Sequence, residues 1–72
     1  MALGRVKCFY SQQGYGFIEQ SDGRPVYFHY TAWTEGGIPD RSIEGVDVDY
    51  DLLETSRGPE ATNIRPLGRS GP

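Results

Sequence analysis

The chain has 72 residues, a formal net charge of −3, a single cysteine and a single histidine. That length allows one domain with a small core, and no run is apolar enough to span a membrane. A lone Cys8 excludes an intramolecular disulfide, and with His29 far away in sequence it makes a poor zinc site, so neither metal nor cofactor is expected. The first residues lack the apolar core of a signal peptide, and a reducing cytoplasm is the expected compartment.

In chain order, Leu3 to Tyr10 reads as a first strand, with Val6 turned inward and Arg5 and Lys7 outward. Lys7 is either a phosphate or base contact or a solvated surface lysine. Ser11-Gln12-Gln13-Gly14 is a turn. Gly14-Tyr15-Gly16-Phe17-Ile18-Glu19 is a second strand, rich in the aromatic and β-branched residues that fit a pleated surface. With Ile18 inward, Gly16 points in beside it, and Tyr15 and Phe17 point out. Gln20 to Pro25 carries Asp-Gly and Pro turn chemistry. Val26-Tyr27-Phe28-His29-Tyr30 is a third strand, with Val26 and Phe28 inward and Tyr27 and His29 outward.

The second and third strands thus form an antiparallel hairpin whose outer face carries Tyr15, Phe17, Tyr27 and His29. Such rings could be half of a core lying under another layer, but Ile18, Val26 and Phe28 already supply an inner face. A contiguous outward aromatic patch marks a binding surface, and flat rings suit unstacked nucleobases. Without a nearby acid in sequence to orient it, His29 reads as a stacking ring rather than a general base.

Thr31 to Gly45 is a long loop, in which Glu35-Gly36-Gly37-Ile38-Pro39 is flexible by composition. Val46 to Leu52 alternates apolar residues at 46, 48, 50 and 52 with Asp47, Asp49 and Asp51, the period of a half-buried strand. The aspartates read as a solvated outer face that discourages edge pairing, since oxygen-rich metal loops need a compact turn with glycine. Leu53 to Pro59 turns the chain. Ala61 to Leu67 is the last strand, with Ile64 toward the core and Pro66 at its end or at an edge. Residues 68–72 read as a flexible tail, leaving 1–67 as the domain. The acids concentrate between Glu35 and Glu54, apart from the hairpin, and at physiological salt their field fades over ~8 Å.

Gly4-Arg5-Val6-Lys7, Gly14-Tyr15-Gly16-Phe17-Ile18, Val26-Tyr27-Phe28-His29-Tyr30 and Arg57-Gly58-Pro59-Glu60-Ala61-Thr62-Asn63 together resemble the cold-shock domain, in order and near the usual spacing, from about Leu3 to Leu67. The resemblance implies an all-β, five-stranded antiparallel OB-fold barrel that binds single-stranded RNA and DNA on an aromatic face. It also implies a helical turn at Thr31-Ala32-Trp33 and places Arg57 at the end of the nucleic-acid site. The chain departs from the family at Cys8, where tryptophan is usual, at Gln13, where lysine is usual, and at Ile38, nearest to a usual base-stacking aromatic. Phe9 and Tyr10, the latter where asparagine is frequent, are the rings next to the first gap. Trp33 either plugs a barrel end or supplies the ring missing at Cys8.

The expected binding residues are Lys7, Phe9, Tyr15, Phe17, Tyr27, His29, Tyr30 and Arg57, and the expected partner is single-stranded RNA or DNA, with a monomer bound to no membrane or small-molecule substrate. The competing reading is a protein-interaction module on the same barrel, motivated by the acidic balance and the three departures. No nucleophile, base and oxyanion set is recognisable, so an enzyme is not expected.

Overall fold

The alternating stretches fold as strands that bury one face against each other. The computed structural model describes residues 2–69. Its strands are β1 (Ala2–Tyr10), β2 (Tyr15–Gln20), β3 (Pro25–His29), β4 (Val46–Thr55) and β5 (Gly58–Arg69), with 3-10 turns at Tyr30–Ala32 and Arg41–Ile43. They close into a barrel in the order β1-β2-β3-β5-β4. The barrel is mixed rather than wholly antiparallel: β3 runs parallel to β5, paired at Tyr27 and Glu60, while the other neighbours are antiparallel. No helix among the described residues is long and apolar enough to cross a membrane.

The core holds Val6, Phe9, Ile18, Val26, Phe28, Ile43, Val48, Tyr50, Ala61 and Ile64. Gly16 is what lets two of its rings meet. It pairs with Phe9 on one side and Phe28 on the other, and a Cβ there would strike the Cys8 carbonyl oxygen and the Phe28 ring. With no side chain between them, Phe9 and Phe28 stack at 5.8 Å with planes 13° apart.

Two strand ends and the placement of Leu52 and Asp49 differ from the sequence reading. β4 runs on to Thr55 instead of turning at Leu53, and a register shift between Asp49 and Asp51 carries its second half away from the core. Leu52, expected inward, is therefore exposed, as is Leu53. Asp49, expected in solvent, is buried beside Arg65 of β5, in an ion pair whose geometry is not that of a hydrogen bond. β5 includes Gly68 and Arg69, placed in a tail by the sequence; residues 70–72 of that tail lie outside the described residues. Pro66 does not stop β5. It pairs only with β4, through Val48, so the missing N–H faces the strand's open side.

The long loop contains a second 3-10 turn, Arg41–Ile43. Asp40 accepts from Ser42 N–H at 2.8 Å and caps the turn Arg41–Ile43, which drops Ile43 into the core. Trp33 packs half-buried against the core and bridges to Ile64, the barrel-plugging role rather than that of a substitute ring.

Candidate nucleic-acid interface

The aromatic face follows from strand register. Antiparallel partners share a face. Tyr15 pairs with Tyr10 of β1 and His29 of β3; Phe17 pairs with Cys8 and Tyr27. Two rows of side chains therefore cross β1, β2 and β3: Tyr10, Tyr15, His29, and Cys8, Phe17, Tyr27. Tyr15 lies 5.7 Å from Tyr27 and 6.1 Å from Phe17, and Phe17 lies 6.1 Å from Tyr27, ring centre to ring centre. All three are half-buried, each covered from below by the sheet and open above.

One expected residue is missing from this face. Phe9 is 1% exposed and belongs to the core, so it cannot receive a base. The reason is a bulge in β1. Val6 pairs with Ile18 and Cys8 with Phe17, leaving Lys7 as the extra residue. After that residue the alternation is reversed. Lys7 and Cys8 both face outward, Phe9 turns in and Tyr10 turns out. The Phe9 N–H at the end of the bulge donates to Glu44 Oε2 at 2.9 Å. Tyr10, not Phe9, is thus the β1 ring on the outer face, 46% exposed and 5.4 Å from Tyr15. Residue types alone leave Phe9 and Tyr10 both beside the gap at Cys8; the inserted residue decides between the two rings.

The remaining expected residues are set around these rows. His29 Nδ1 accepts from Thr31 N–H and lies 2.9 Å from Thr31 Oγ1, so Nε2 is the nitrogen left for a ligand. The imidazole lies 4.6 Å from Tyr30, tilted by 36°. Tyr30 opens the 3-10 turn, donates its N–H to the Gly14 carbonyl and packs partly on the core, so it forms the rim of the face rather than its floor. Lys7 stands exposed on the bulge, next to the row that contains Phe17.

Arg57 reaches the opposite rim. Thr55 and Gly58 pair across the turn Ser56-Arg57, and Thr55 Oγ1 accepts from Arg57 N–H at 3.1 Å and donates to the Gly58 carbonyl. This turn brings Arg57 to a cavity of about 270 Å³ lined also by Phe17, Tyr27, Thr55, Pro59 and Glu60. A guanidinium therefore borders the two central rings.

The acids lie elsewhere. Asp47 pairs with Arg5 at 2.9 Å, Asp49 with Arg65, and Asp51 accepts from Asn63 Nδ2 at 3.0 Å. These contacts join β1, β4 and β5, whereas the rings stand on β1, β2 and β3. The overall negative charge is thus tied up, in part, on another side of the barrel.

The arrangement offers flat apolar rings in reach of one another, flanked by Lys7, His29 and Arg57. It can hold planar heterocycles by stacking and anionic groups by Lys7 and Arg57. Comparison with known proteins agrees. The family described as the 'Cold-shock' DNA-binding domain matches residues 2–67. The chain is 42% identical over 65 residues to Cold shock-like protein CspC of Bacillus cereus, covering 89% of this chain and 97% of that one. It is 40% identical over 68 residues to Cold shock protein CspB of Geobacillus stearothermophilus, covering 93% of this chain and 100% of that one. Cold shock protein CspD of Bacillus subtilis is 40% identical over 67 residues, with 93% and 100% covered. With both the barrel and its outward rings in place, the chain belongs to the cold-shock domain family.

Proposed function

We propose that this protein binds single-stranded RNA or DNA, stacking unpaired bases on Tyr15, Phe17, Tyr27 and His29, with Tyr30 at the rim and Lys7 and Arg57 on phosphates or base edges. The observation that carries this reading is the contiguous set Tyr15, Phe17 and Tyr27, whose ring centres lie within 6.1 Å of one another on the outer face of a closed barrel. Each stacked base contributes about 1–3 kcal/mol. Affinity comes mainly from stacking, because few cations border the face and few counterions are released.

By binding only the open strand, the protein shifts the pairing equilibrium of RNA through mass action and needs no energy source. That suits an RNA chaperone, or a regulator of transcription or translation, acting in the cytoplasm. The protein-interaction reading loses its main motive, since Asp47, Asp49 and Asp51 each have a polar or cationic partner away from the rings.

The test is titration of a labelled oligopyrimidine strand, as matched RNA and DNA, at two salt concentrations. Saturable binding that Phe17→Ala weakens at least tenfold is expected. No binding at low salt would overturn the reading.

A further inference from the structure

The face does not stop at Tyr15. On its β1 side Tyr10 continues the row, and its ring is tilted by 59° from Tyr15, so the two are not stacked and one phenol face stays open. Cys8 Sγ donates to the Tyr10 hydroxyl at 3.6 Å. The phenol therefore leans from its own row across the small side chain of Cys8, toward the row of Phe17. A large side chain at position 8 would occupy that space. Here the ring of Tyr10 covers it and is held there at both ends, by Tyr15 and by Cys8.

Behind Tyr10 lies a separate groove of about 370 Å³, bordered by the turn after β1 and by the 3-10 turn at Arg41–Ile43. Its volume is within the ~300–1,000 Å³ of ligand clefts. Gln12, Gln13 and Arg41 are exposed along it. Arg41 Nε lies 3.9 Å from Glu44 Oε2, too far for a hydrogen bond, and that carboxylate oxygen already accepts from the Phe9 N–H. The guanidinium donors are thus available to an anion at the groove mouth. Arg41 is the one cation among the groove's lining residues and Glu44 lines it too, so the groove has room in charge for one phosphate at most.

We propose that Tyr10 and this groove form an additional nucleotide subsite, with the base on the phenol ring, its edge toward the Gln12 and Gln13 amides, and its phosphate at Arg41. The inference rests on the single-strand reading above. It assigns to Tyr10 a platform role of its own, and it extends the bound strand beyond β2 toward the loop that carries Arg41.

The test uses oligothymidylates of increasing length, with wild type, Tyr10→Ala, Tyr10→Leu, Tyr10→Phe, Arg41→Gln and, as a control, Phe17→Ala. Circular dichroism checks that each keeps the barrel. Tyr10→Leu retains apolar packing on Tyr15 but offers no flat ring. The expected result is that wild type gains affinity for one nucleotide more than the Ala and Leu variants do. At the longest length those variants bind about tenfold more weakly, and Tyr10→Phe binds as wild type. Arg41→Gln lowers the slope of log affinity against log salt by about 0.7, one single-strand phosphate. If Phe17→Ala weakens binding but Tyr10→Ala and Tyr10→Leu match wild type at every length, the subsite is wrong and the single-strand reading stands. An unchanged salt slope in Arg41→Gln overturns the phosphate placement. If wild type binds no strand at any length, both fail together.

Discussion

Phe9 and Phe28 stack across Gly16, with ring centres 5.8 Å apart, and so join β1 to β3 through the one inward position of β2 that has no side chain. Phe9→Ala should therefore behave as a core truncation. A loss of about 3–5 kcal/mol is expected, a large share of the stability of so small a domain. Gly16→Ala should cost about 1–3 kcal/mol, because one obstacle is the Cys8 backbone, which cannot rotate away. Urea denaturation measures both. A Phe9→Ala variant with an unchanged midpoint but weakened strand binding would return Phe9 to the outer face.

Tyr50 offers the opposite case. It is fully buried, and among the described residues its hydroxyl has no hydrogen-bond partner. Burial raises the phenol above its ordinary pKa. Tyr50→Phe removes the unsatisfied oxygen and leaves the ring, so a gain of up to about 1 kcal/mol is expected, with strand affinity unchanged. A clear loss of stability in thermal unfolding would show that the hydroxyl is satisfied.

The Asp49–Arg65 contact joins β4 to β5 with the carboxylate buried and the guanidinium partly exposed. Arg65→Met keeps much of the apolar stem but strands the charge. A destabilisation of about 1–3 kcal/mol is expected, and Asp49→Asn in the same chain should restore part of it. Additive losses in this double-mutant cycle would mean that the two side chains are not coupled.

Acid should loosen the two polar turns. Asp22 is held below the usual carboxylate range by the Arg24 backbone N–H and then by its guanidinium, and Asp40 by the Ser42 hydroxyl and then its N–H. In each case the folded pKa lies below the unfolded one. The stabilisation is present above the unfolded value and disappears as pH falls through the folded value. Unfolding midpoints measured from neutral pH down through the carboxylate range should therefore fall, and Asp22→Asn with Asp40→Asn should flatten that fall. An identical pH profile in the double variant would rule out this source.

Much of this was readable in the sequence because period-2 alternation survives wherever strands are regular. Gly16, Ile18, Val26 and Phe28 inward, and Tyr15, Phe17, Tyr27 and His29 outward, follow from side-chain parity alone, and the structure has them so. The misreadings fall where parity breaks. At Lys7 one extra residue exchanges Phe9 with Tyr10, and nothing in Val-Lys-Cys-Phe-Tyr marks the insertion. Past Asp49 a second shift exposes Leu52. The burial of Asp49 depends on Arg65, a partner distant in sequence. The turn at Arg41 did carry a local signal, Asp40 as its cap, hidden within a loop that read as glycine-rich and polar.

Among the described residues, β3 and β5 share the shortest ladder of any neighbouring pair: Tyr27 meets Glu60, and past it Trp33 bridges to Ile64, whose carbonyl also accepts from the Thr34 N–H and hydroxyl. The wall is thinnest beside Tyr27, where the bound strand would press. Thermal breathing of the barrel should begin along that line, and its amide protons should exchange with solvent sooner than those locked between β4 and β5. A strand lying across Tyr27 and Arg57 would straddle the gap and act as a clasp, so that occupancy by nucleic acid slows the exchange of the very protons that the free protein gives up first.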